Sequence, residues 1–95
     1  MTRSEVERIL RENKTYLANN YYVKRIGLFG SYVRNEQTES SDIDILVEFS
    51  KPVGFEFFDL KFYLEDLFQK PIDLVTPDAL KPLIRDDIMS EVQFQ

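Results

Sequence analysis

The chain has 95 residues, with 12 basic and 17 acidic side chains, a net charge of −5, and neither cysteine nor histidine. That length suits one domain over residues 1–95, and a composition 43% hydrophobic and 14% aromatic is that of a folded globular chain. Disulfides, thiolate metal sites and imidazole chemistry are excluded, the acidic balance argues against direct nucleic-acid binding, and no apolar run reaches the length of a membrane span, so a cytoplasmic location is expected.

Thr2 or Ser4 is positioned to cap a first helix whose apolar residues Val6, Ile9, Leu10 and Leu17 keep helical spacing, with Asn19-Asn20 as its stop. Residues 22–29 are rich in β-branched, aromatic and aliphatic side chains and predict a strand ending at Gly30. Ser31 then predicts the N-cap of a short helix carrying Tyr32, Val33 and Arg34, followed by an exposed polar loop over 35–40. Residues 43–49 read as a second, strongly apolar and therefore central strand. A turn cluster at 50–54 leads into a long amphipathic helix marked by Phe57, Phe58, Leu60, Leu64, Leu67 and Phe68. Residues 71–75 form a short third strand. A last helix from Thr76 or Asp78 is expected to turn Leu80, Leu83, Ile84, Ile88, Met89 and Val92 inward, with Pro82 in its first turn. The order gives an α/β (α+β) domain: a small mixed sheet of three to four strands packed with helices.

The chemistry concentrates at two places ten residues apart. Residues i and i+2 of a strand share a face, so Asp42 and Asp44 present carboxylates together while Ile43 and Ile45 point away. Two such charges about 4 Å apart cost on the order of 4 kcal/mol at an effective dielectric near 20. A cation between them removes that cost, and hard oxygen ligands suit Mg²⁺. Gly30 allows a ligand close to the backbone, free N–H groups at a helix start bind anions, the Ser31 hydroxyl can donate to a phosphate oxygen, and Arg34 can add positive charge. The pair reads as a site for a metal-bound nucleoside triphosphate. Asp73, between Ile72 and Leu74 in an otherwise apolar strand, is the expected third carboxylate if that strand lies beside the second. Three carboxylates would hold two Mg²⁺ ions, and with no histidine present Asp73 is also the candidate proton acceptor.

Gly30-Ser31, the ten-residue interval, and Ser41-Asp42-Ile43-Asp44-Ile45-Leu46-Val47 together resemble the signature of the DNA polymerase β-like nucleotidyltransferase superfamily. The shortness, Arg34 and the Asp73 strand resemble its smallest members, the minimal nucleotidyltransferases, many of them antitoxins paired with a HEPN-domain ribonuclease toxin. The resemblance implies that Gly30 and Ser31 contact the triphosphate, that Asp42 and Asp44 bind both metals, and that Asp73 matches the third carboxylate. It implies further that AMP passes from ATP to a tyrosine of the partner toxin.

Plainer readings of the same residues remain. Asp42 and Asp44 can lie on a solvent-facing strand edge, Asp73 can pair with Lys24 or Arg25, and Arg34 can be a solvated helix residue. Most of Phe55, Phe57, Phe58, Phe62, Tyr63 and Phe68 must pack the core, while a surplus such as Phe55, Phe62 or Tyr63 would form a partner-facing patch. Other functions compatible with the chain are nucleotide transfer to a small hydroxylated molecule and a non-catalytic module that neutralises its partner by covering it.

Overall fold

The computed structural model describes residues 1–95. Thr2 caps helix α1 (Arg3–Glu12), its hydroxyl accepting from the Glu5 amide at 3.2 Å. The single first helix expected from periodicity is instead two. Asn13 donates its side-chain amide to the Ile9 carbonyl at 2.8 Å, a competition with the helix ladder typical of asparagine, and helix α2 (Lys14–Tyr21) starts beyond it. Asn19-Asn20 do not stop α2; Tyr22 does, in a left-handed conformation with φ of 59°.

Four strands follow: β1 (Val23–Phe29), β2 (Ile43–Phe49), β3 (Ile72–Val75) and β4 (Gln93–Phe94), in sheet order β3-β2-β1-β4. β1 runs antiparallel to β2 and β4, while β2 and β3 are parallel, joined by the crossover helix α3 (Glu56–Phe68). A register shift between Val23 and Arg25 restores parity in β1, which is why Val23, Ile26 and Leu28 all reach the same core.

The sheet has two unlike faces. One carries Ile26, Leu28, Ile43, Ile45, Val47, Ile72 and Leu74 against Val6, Leu10, Leu17, Leu60, Leu64 and Phe68 of α1, α2 and α3. The other holds a smaller cluster of Phe29, Leu46, Leu80 and Val92, with Val75, Ile88, Met89 and Phe94 packed on it, under helix α4 (Pro82–Glu91). Strand alternation puts Asp44 with Leu46, and Asp73 with Val75, on this thinly covered face.

Three expectations are corrected here. The last helix begins at Pro82, after a 3₁₀ turn over Pro77–Ala79, because Leu80 is extended and buried between the two. Leu83 and Ile84 do not face inward but are 92% and 46% exposed. On α3 the exposed aromatics are Phe58 and Phe62, with Phe55 just before the helix, whereas Tyr63 stacks on Tyr16 at 5.1 Å and donates to Asn13. No helix is long and apolar enough to cross a membrane.

Candidate active site

Antiparallel pairing of β1 with β2, and parallel pairing of β2 with β3, brings the end of the first and the starts of the other two to one end of the sheet. Phe29 pairs with Asp44 and Asp44 with Asp73. Gly30 follows at once, with φ of +76°, a left-handed conformation that glycine adopts freely. A Cβ on Gly30 would overlap the Asp44 Oδ2 atom and stand 2.9 Å from its Cγ, so the carboxylate occupies the space a side chain would fill. The turn and the carboxylate thus fit each other by contact.

Gly30–Tyr32 is one 3₁₀ turn, with Phe29 rather than Ser31 as its N-cap. The short α-helix expected after Ser31 does not form, so any anion binding here rests on individual N–H groups rather than on a helix terminus. Tyr32 is fully buried in the larger core and anchors the turn. Ser31 is half-buried, and its backbone carbonyl accepts from the Glu36 amide at 2.9 Å.

Asp44 is half-buried, and its carboxyl is pushed up to about 6, first by burial, then by the charge of Asp73 and a hydrogen bond with it, then by Asp42; Arg34 pulls it back down. A carboxyl so crowded by like charge is relieved by a cation. Asp42 lies one residue before β2, outside the ladder, and is exposed, as is Asp73. Asp44 and Asp73 approach each other, but the three side chains as placed do not form a ready-made three-ligand group. Their all-oxygen chemistry nonetheless fits a hard cation such as Mg²⁺ rather than a softer metal. The ion pair from Asp73 to Lys24 or Arg25 is not formed; Arg25 pairs with Glu48 across the strands and lies 3.9 Å over the Phe94 ring.

Arg34 is neither free nor merely solvated. It pairs with Glu36 and Glu91 at 2.6 Å each, and these bonds raise its already high pKa. Glu91, the last residue of α4, also accepts from the Gly30 amide at 3.2 Å. Sequence reasoning missed Glu91, because only the docking of α4 and β4 beside β1 brings residue 91 to residue 30. The two clefts in the structure, about 560 and 420 Å³, are lined by neither Asp42, Asp44 nor Asp73; the smaller adjoins the site through Arg34 and Glu91. The carboxylates themselves stand on an open face.

The family model described as nucleotidyltransferase domain matches residues 6–94. A chain of Methanocaldococcus jannaschii provisionally named a protein adenylyltransferase is 50% identical over 95 residues, covering 98% of this chain and 97% of that one. The protein adenylyltransferase MntA of Thermococcus cleftensis is 42% identical over 95 residues, covering 99% and 96%. Among solved structures, one provisionally described as a minimal nucleotidyltransferase superposes with a TM-score of 0.82 at 31% identity, covering 98% and 95%. A toxin–antitoxin structure with AMP-PNP gives a TM-score of 0.69 at 22% identity over 99% of this chain and 72% of that one, a likeness of fold.

Proposed function

The chain belongs to the nucleotidyltransferase domain family, and on that premise we propose that it transfers AMP from ATP to a tyrosine hydroxyl of a partner HEPN-domain toxin, thereby acting as its antitoxin. The observation that carries this reading is the contact of Gly30 with the Asp44 carboxylate, which sits beside Asp73 in register. A phosphate on the Gly30-Ser31 turn would then lie against the Asp44 carboxylate and its strand neighbour Asp73. Protein adenylyltransferase is the name its relative MntA carries, and the structures of similar fold include toxin–antitoxin complexes.

The placement of these residues supports the following roles. The Gly30 amide and the Ser31 hydroxyl donate to phosphate oxygens, and the Arg34 guanidinium adds a charge-assisted bond. Asp42, Asp44 and Asp73 would hold Mg²⁺, two ions in this reading, which supplies positive charge against the polyphosphate and the developing oxyanion. Asp73, exposed at the start of β3, takes the proton from the acceptor hydroxyl. The hydroxyl oxygen bonds to the α-phosphorus as the bond to the pyrophosphate oxygen breaks, in line. The open face suits an acceptor carried on another protein, since no enclosed pocket adjoins the carboxylates. Residues 1–95 act here as one unit, in the cytoplasm where ATP is plentiful.

Incubation with α-labelled ATP, Mg²⁺ and the partner toxin should label the toxin. No transfer by the wild type, or equal transfer by a variant combining Asp42→Asn with Asp44→Asn, would overturn the proposal.

A further inference from the structure

We infer that Glu91 is an internal anion seated in the phosphate cradle, and that an incoming polyphosphate must displace it. The inference rests on reading Gly30 and Arg34 as phosphate contacts. One carboxylate bridges the two groups: Oε2 accepts from the Gly30 amide at 3.2 Å and Oε1 from the Arg34 guanidinium at 2.6 Å. A planar anion gripped by a backbone N–H on one oxygen and a guanidinium on the other has the bonding that two oxygens of a phosphate would have. The Glu91 side chain is only 21% exposed, so it lies within the cradle rather than over it. The Gly30 amide carries one proton and cannot serve both anions.

The element that delivers Glu91 is built to let go. No residue within α4 is buried, its N-cap Lys81 makes no side-chain capping bond, and Leu83 and Ile84 face solvent. The strand that follows has two residues, paired with Gly27 and Leu28. Burial resumes only at Leu80 before the helix and Val92 after it. Such a segment opens locally at less cost than the core of the sheet. Arg34 keeps Glu36 when Glu91 leaves, so the displaced state strands no guanidinium. A triphosphate arriving with its metal brings more charge than one carboxylate and can take the cradle, whereas a monophosphate competes on nearly equal terms. Glu91 therefore favours polyphosphate over AMP and refills the cradle once pyrophosphate leaves.

If the cradle is about ten-to-one occupied by Glu91, apparent affinity is lowered about tenfold. Calorimetric titration of the full chain with inorganic tripolyphosphate should therefore give binding roughly tenfold tighter for Glu91→Gln than for the wild type. Equal or weaker binding by that variant, or no binding by either protein, overturns the inference. A second measurement needs no variant: saturating tripolyphosphate should speed amide exchange severalfold over residues 90–93 of the wild type. Unchanged exchange with tripolyphosphate bound overturns it too. Tighter tripolyphosphate binding without any transfer of label to the toxin would sink the adenylylation reading and leave Glu91 in its role. Transfer with no effect at Glu91 would do the reverse.

Discussion

Gly30→Ala is the substitution that most directly tests the fit between turn and carboxylate. At φ of +76°, an alanine pays roughly 1–2 kcal/mol for the left-handed conformation alone. Its Cβ would overlap Asp44 Oδ2 and lie 2.9 and 3.1 Å from Cγ and Cβ of the same residue, so more than the tip of the side chain is in the way. Asp44 must leave its rotamer, adding about 0.5–1.5 kcal/mol. The sum, about 1.5–3.5 kcal/mol, leaves a domain of ordinary stability folded but lowers Tm by roughly 6–28 °C. Activity should fall much further than stability. Displacing a group that acts electrostatically on the transition state costs on the order of 10²–10³ in rate, even where nearly all of the variant is folded. The assay is label transfer at a temperature well below the variant's Tm, with circular dichroism confirming its fold. A folded Gly30→Ala protein that transfers label within about threefold of wild type would refute the argument, as would a Tm drop of less than about 2 °C.

Asp44 should make stability depend on pH in an unusual direction. Its folded pKa of about 6 lies above the unfolded 3.8, so its contribution is fully present below 3.8 and is lost as pH rises through 6. With solvent screening at this half-exposed group, a loss of about 1 kcal/mol between pH 4 and 6 is expected in metal-free protein. Denaturant titrations of wild type against Asp44→Asn at several pH values isolate it, and a difference that does not change with pH would exclude it. Mg²⁺ binding needs the ionised carboxyl, so added Mg²⁺ should raise Tm at pH 7.5 and much less at pH 5, with Asp44→Asn showing no rise; an equal rise in the variant would place the metal elsewhere. On α3, Leu64→Ala removes a fully buried side chain and should cost about 2–5 kcal/mol, whereas Phe62→Ala, 61% exposed, should stay within about 0.5 kcal/mol by thermal unfolding. Comparable losses at the two positions would mean that the inward and outward faces of α3 are wrongly assigned.

What could be read from the chain follows from the range of the forces involved. β2 was legible to the residue because a run of seven, Ile43–Phe49, carries its own burial signal, and β3 because Ile72 and Leu74 alternate with Asp73. The turn at Gly30 was legible because glycine, then serine, ends a strand. Its helical sequel was not: Tyr32 is drawn wholly into the core, which holds the turn to a single 3₁₀ cycle where local propensity alone would continue it. The break at Asn13 is a single side-chain bond within an otherwise periodic run. Leu83 and Ile84 misled because apolar residues at helical spacing predict a buried face only if something is there to cover it, and α4 lies over a cluster of only four buried residues.

The same limit explains Glu91. Gly30, Ser31, Asp42 and Asp44 lie within fifteen residues, and one turn and one strand place them. Asp73 needs one further step, the parallel pairing of β2 and β3, which an apolar strand following a long helix makes natural. Glu91 needs the whole topology: α4 must cross the open face and β4 must return antiparallel to β1 before residue 91 meets residue 30. Nothing local to Ser90-Glu91 distinguishes it from a solvated helix end. A carboxylate held by a backbone amide on one oxygen and a guanidinium on the other marks the cradle as a place that takes an anion, and that is the property a triphosphate site requires.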